Sequence, residues 1–154
     1  ERQAFYFQRQ LELARAFDLP VVVHARRAVE EVIAALRRLP GLRGVVHSYA
    51  GSEEQARQLF GLGFCLGIGG PATYERARRI RRVAAAMPLE FLLLETDAPD
   101  QPDAGRRGER NEPANLLSVL EVVAQLRGME PSDLARASTA NARRLFRTEA
   151  MAAA

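Results

Sequence analysis

Residues 19–51 read LPVVVHARRAVEEVIAALRRLPGLRGVVHSYAG, and this stretch decides the fold. Val21 to Val23 is a β-branched run that stops at His24. Ala28 to Leu39 follows, with Val29, Val32, Ile33 and Leu36 on one stripe at helical spacing. Pro40-Gly41 breaks that helix, and Gly44-Val45-Val46-His47 is a second short apolar run. Wholly apolar strands joined by an amphipathic helix belong to a parallel sheet covered on both faces. The stretch is therefore a βαβ unit whose two strands both end in histidine, and these are the only two histidines in the chain.

The same rhythm extends in both directions. Residues 2–17 place Phe5, Leu13 and Ala16 among charges at helical spacing, and Asp18-Leu19-Pro20 closes that helix. Ser52-Glu53-Glu54-Gln55 has the form of a capping box, so a helix starts there and should stop at Gly61 or Gly63. Phe64 to Ile68 reads as a third strand, Tyr74 to Ala86 as a third connecting helix ended by Pro88, and Phe91 to Glu95 as a fourth strand. The segment from Ala98 to Pro113, rich in Pro, Gly, Asp and Arg, is a long loop, and a loop of that length beside a strand end usually serves a site. Pro113 to Leu126 is a helix closed by Gly128, and Pro131 to Phe146 reads as one or two short helices interrupted near Ser138 to Ala140. Residues 1–148 form one domain and the alanine-rich residues 149–154 a frayed tail. The fold class is α/β, built from parallel βα units.

Composition narrows the functional classes. At 154 residues, 47% apolar and 27% charged, the chain has the make-up of a soluble globular domain and not of a disordered one. The net charge of +3 is carried by arginine alone, a weak argument for an anionic partner. The single cysteine, Cys65, lies in an apolar run, which fits a buried side chain in a reducing cytoplasm. No apolar stretch is long enough to span a membrane.

The strand ends carry the chemistry. Phe91-Leu92-Leu93-Leu94-Glu95-Thr96-Asp97 closes in carboxylates as the other two runs close in imidazole. Residues two apart share a face, so Glu95 and Asp97 point together, as do His24 and Arg26. Neutral imidazole nitrogens and carboxylate oxygens are ligands for Zn²⁺ or Mn²⁺, and an open coordination position lets the ion lower the pKa of bound water. One such histidine is commonly structural. Both histidines and an Asp at strand ends make His24, His47 and Asp97 candidate ligands of a metal-assisted hydrolase.

Five motifs together resemble the TatD-type deoxyribonuclease family of amidohydrolase-like barrels. They are Leu19-Pro20-Val21-Val22-Val23-His24-Ala25-Arg26, Val46-His47-Ser48-Tyr49-Ala50-Gly51, Leu94-Glu95-Thr96-Asp97-Ala98-Pro99, Arg110-Asn111-Glu112-Pro113 and Thr139-Ala140-Asn141-Ala142-Arg143-Arg144-Leu145-Phe146. Ser48 and Tyr49 stand where the family often has Cys and Phe. The resemblance implies that His24 and His47 bind one metal, and that Asp97 binds a second or orients the attacking water. Glu95 would be a supporting or substrate-contacting carboxylate, and Arg26 a phosphate contact or the partner of a neighbouring carboxylate. Arg110, with Arg106 and Arg107, would meet backbone phosphates. It implies divalent cofactors (Zn, Mg or Mn, two in the intact site) and DNA as substrate. The family's His-x-His pair and bridging Glu on its earlier strands have no counterpart here, and a complete barrel takes about 250 residues. The chain is thus expected to supply strands five to eight of a (β/α)8 barrel with extra C-terminal helices, as part of a longer protein. Open strand edges then predict self-association or a complementing half barrel. The competing readings are a non-catalytic α/β or nucleic-acid-binding module, and a related enzyme acting on an amide, ester or lactone.

Overall fold

The computed structural model describes residues 2–148, so the expected frayed tail lies outside the described residues. Four parallel strands pair in chain order: β1 (Val21–His24), β2 (Gly44–His47), β3 (Phe64–Ile68) and β4 (Leu92–Leu94). Before β1 comes α1 (Arg2–Ala16), and the crossovers are α2 (Val29–Arg38), α3 (Glu53–Gly61) and α4 (Arg78–Ala86). Two further helices follow β4, α5 (Leu116–Arg127) and α6 (Pro131–Phe146).

The two faces of the sheet are covered unequally. Val23, Val46, Phe64, Leu66, Ile68 and Leu92 belong to the main core, together with the apolar stripes of the helices. Val29, Val32, Ile33 and Leu36 form the buried stripe of α2, as the spacing predicts. On the opposite face Val45, Cys65 and Leu93 form a small cluster with Leu145 near the end of α6, flanked by Phe91 and Ala142. Val22, on that same face at the sheet edge, is 62% exposed.

Local chemistry accounts for the element boundaries. Ser52 Oγ accepts the Gln55 backbone N–H at 3.1 Å while Gln55 Oε1 accepts that of Ser52 at 3.0 Å, completing the capping box that opens α3. Gly128 closes α5 with a left-handed φ of 62°. Four boundaries differ from the sequence reading. The third crossover helix begins only at Arg78, because Gly70–Thr73 forms a 3-10 turn and the Tyr74 hydroxyl is used to donate to Pro102 O at 3.1 Å. Phe91 ends a 3-10 turn, Leu89–Phe91, and stacks on Phe60 with centroids 5.1 Å apart, so β4 is shorter than predicted. A 3-10 turn, Pro113–Asn115, precedes α5.

The fourth difference is α6, which is one continuous helix where an interruption was expected. Ser138 donates its hydroxyl back to Ala135 O at 3.3 Å and so remains within the helix. Asn141 is buried and its Nδ2 donates outward to Leu89 O at 2.7 Å and Leu92 O at 2.9 Å, fixing α6 across the start of β4. Beyond α6, Arg147 pairs with Asp18, which also holds Arg43, so the residue after the last helix is tied to the turn before β1.

Asn141→Ala leaves both carbonyls without their side-chain donor, a loss expected to cost about 1–3 kcal/mol in urea unfolding. Loss within experimental error of zero would show that α6 is held by packing alone.

Candidate active site

The parallel register places His24 directly beside His47 at the C-terminal edge of the sheet. His24 Nδ1 stands 2.8 Å from His47 Nε2, and the ring centroids are 4.9 Å apart. The other nitrogen of His47, Nδ1, lies 3.9 Å from Glu95 Oε1 and 3.9 Å from Asp97 Oδ1. The two histidines and two carboxylates singled out in the sequence therefore converge. Among the described residues, no three His, Cys, Asp or Glu side chains stand as a ready-made metal-holding group.

Two glycines make room for this cluster. A Cβ on Gly67 would lie 1.9 Å from Glu95 Oε2, so the Glu95 carboxylate occupies the space where β3 lacks a side chain. A Cβ on Gly69 would come within 3.3 Å of Glu95 O. Seated there, Glu95 accepts the backbone N–H of Ser48. Burial pushes its carboxyl up to about 7, against the lowering effect of the Ser48 N–H and with the help of the nearby Asp97 charge. Glu95 is thus poised between its charged and neutral forms near neutrality.

Asp97 is held from the other side. Gln101 Nε2 donates to Asp97 Oδ2, and the same amide shares hydrogen bonds with Ser48 Oγ at 3.1 and 3.2 Å. Gln101 owes its place to the loop. Asn111 is buried, donates from Nδ2 to Asp100 O at 2.8 Å and Gln101 O at 3.3 Å, and receives Asn115 Nδ2 on its Oδ1 at 3.0 Å. A Cβ on Gly70 would meet Gln101 O at 2.3 Å, so the loop lies directly on glycine backbone. Arg27, Ser48 and Gln101 all take positive φ, at 54°, 48° and 49°, a conformation that non-glycine residues adopt at a cost and that collects at functional sites.

The remaining sequence candidates fall in two places. Arg26 lines a cavity of about 750 Å³ that His24, Ser48 and Gln101 also line, whereas Arg110 is exposed on the loop and lines neither that cavity nor the apolar one beneath His47 and Glu95. Sequence reading missed Gly67, Ser48, Gln101 and Asn111 as parts of the cluster. The glycines of Gly67-Ile68-Gly69-Gly70 were the available signal, since glycine within a strand marks close approach of another group. Tyr49, noted as a departure from the family pattern, is buried and donates its hydroxyl to Ser52 O at 2.6 Å, bracing the turn after β2.

The donor set can accommodate a divalent cation. Two adjacent imidazoles and two carboxylates are the donor types such an ion takes, and with the His24–His47 hydrogen bond opened both nitrogens would be free to hold it. Glu95 and Asp97 face the far nitrogen of His47, where a carboxylate fixes the tautomer of a ligating imidazole.

Comparison with known proteins gives a consistent picture. A family model described as TatD related DNase matches residues 1–147. The chain is 43% identical over 148 residues to the "Uncharacterized metal-dependent hydrolase YjjV" of Escherichia coli K12, covering 95% of this chain and 57% of that protein. It is 41% identical over 157 residues to the "3'-5' ssDNA/RNA exonuclease TatD" of Erwinia billingiae, covering 97% and 60% respectively. The crystal structure of the E. coli YjjV protein superposes with a TM-score of 0.90 at 42% identity, over 96% of this chain and 57% of that one. The chain thus spans between half and two thirds of the length of these relatives.

Gly67→Ala should displace Glu95 and destabilise the fold by about 1–3 kcal/mol, read from chemical denaturation. Gly61→Ala, where a Cβ meets nothing within 4 Å, serves as the control and should be neutral or slightly stabilising. Equal effects would mean that Glu95 does not depend on the space over Gly67.

Proposed function

The chain belongs to the TatD-related DNase family, and from that membership we propose that its strand-end cluster is part of a metal-dependent hydrolase site that cleaves phosphodiester bonds. The observation that carries the reading is the meeting of His24 and His47 at 2.8 Å with Glu95 and Asp97 behind them. A bound divalent ion (Zn, Mg or Mn) supplies Lewis acidity and a water of lowered pKa.

His24 Nδ1 and His47 Nε2 are the nitrogens that would hold such an ion. Asp97, whose Oδ2 is fixed by Gln101, is the residue we assign to accept a proton from the attacking water or to bind a second ion. Glu95, held by the Ser48 backbone N–H over Gly67, stands 3.9 Å from Nδ1 of His47 and would orient that ring. Arg26 offers a planar fork to a phosphate at the mouth of the site. Arg110, exposed on the loop, would meet phosphates farther along a polynucleotide. DNA is the favoured substrate, and the name carried by the Erwinia billingiae relative extends the same chemistry to RNA.

The architecture we propose is that β1–β4 correspond to strands five to eight of a (β/α)8 barrel. Support comes from the sparsely covered second face and from the coverage of only 57% of the YjjV chain at a TM-score of 0.90. No helix among the described residues is long and apolar enough to cross a membrane, and we place the protein in the cytoplasm on the strength of its one, unpaired cysteine.

In a protein that carries this segment together with the remaining strands of the barrel, Asp97→Asn should lower metal-dependent cleavage of a labelled oligonucleotide by about 10²–10⁴-fold, and Gln101→Ala by about 10–100-fold; the 154-residue chain alone, without the other ligands, is expected to cleave weakly or not at all. Hydrolysis of an amide, ester or lactone with no oligonucleotide cleavage would overturn the phosphodiester assignment in favour of a related hydrolase. Light scattering on the purified chain should report a species larger than 17.0 kDa, as expected if exposed edge residues such as Val22 are covered by association; a clean monomer would contradict that.

A further inference from the structure

Building on the phosphodiester reading above, we propose that the cavity of about 750 Å³ beside the cluster is the channel for the phosphate backbone of a polynucleotide strand. Arg27 and Arg79 are its anion-binding side chains. Three observations carry this assignment.

The first is position. The inner wall of the cavity includes His24, Ser48 and Gln101, the residues that contact His47 and Asp97, so an occupant would lead straight to the reacting group. The second is cationic charge that is not directly paired. Arg26, Arg27 and Arg79 all line the cavity, and among the described residues none has a carboxylate within 4.0 Å or a side-chain hydrogen bond. Elsewhere among the described residues seven arginines have a carboxylate within 4.0 Å, as Arg57 has Glu54 and Arg82 has Glu53. Two acids line the same cavity, Glu30, which accepts from Gln55 Nε2 at 3.4 Å, and Glu31.

The third is placement. Arg27 takes φ 54° at the third position of the turn that follows His24, closed by the Ala28 N–H donating to Ala25 O at 3.4 Å, so its position is fixed by that turn. Arg79 comes from a different element, the first turn of α4. Guanidiniums brought from separate elements to one cavity and left without protein partners are suited to oxygens spaced along an extended anion, and a guanidinium fork matches phosphate geometry. Ala50 and Gly51, with small or no side chains, also line the cavity.

The test is anisotropy of fluorescein-labelled single-stranded DNA and RNA of one sequence, bound to the full chain in EDTA so that no cleavage intervenes. Arg27→Asn, which tolerates left-handed backbone, and Arg79→Ala should each weaken binding severalfold. Each should also reduce the slope of log affinity against log salt by about 0.7. Arg38→Ala, at the far end of α2, should change neither. Equal effects on DNA and RNA assign the channel to backbone phosphate; an effect on one alone, or unchanged slopes in both variants, overturns it. Circular dichroism confirms that the variants fold. Arginine-dependent binding without Asp97-dependent cleavage would sustain the channel while overturning the reaction, so the two claims fail separately.

Discussion

Parallel pairing in register is the constraint from which the site follows. Because Val21 pairs with Gly44 and each later residue keeps step, His24 meets His47 without any contribution from a loop. Two strands farther on, Glu95 N still donates to Ile68 O at 3.1 Å, so the chain leaves the sheet with its carboxylate on the same edge. A slip of one residue would turn every one of these side chains to the opposite face. Branched apolar residues packed against α2 and α3 are what prevent that slip, and the chemistry at the edge inherits its precision from the core.

The contrast between the two ends of each strand divides what the sequence shows from what it hides. Apolar runs, helix stripes, the Ser52 capping box and the Gly128 stop are periodic or local signals, and they locate the elements within a few residues. His24, His47 and Asp97 were legible because a polar residue closing an apolar run is conspicuous. Gln101 and Asn111 were not, since each acts through a contact that loop geometry alone creates and sits among polar neighbours that do nothing comparable. Ser138 misled for a related reason: its hydroxyl suggests a break, yet it bonds back within its own helix.

Glycine has an unusual share in this arrangement. Gly67 gives its volume to a carboxylate, and Gly70 gives its volume to the backbone of the loop that steers Gln101. β3 thus contributes no functional side chain of its own at the edge, and serves as the surface against which the residues of β4 and its loop are seated. Such a strand is silent in any search for reactive residue types.

The pairing of Asp18 with both Arg43 and Arg147 spans 129 residues in one of its two links and is exposed to solvent. Ion pairs of that kind weaken as dissolved salt accumulates, while buried contacts scarcely respond. The margin of the sheet nearest β1 therefore adds a small salt-sensitive contribution to the packing of Leu11, Ala14 and Val23, whereas the opposite flank is fixed by Asn141 and its two carbonyls, which dissolved ions scarcely reach.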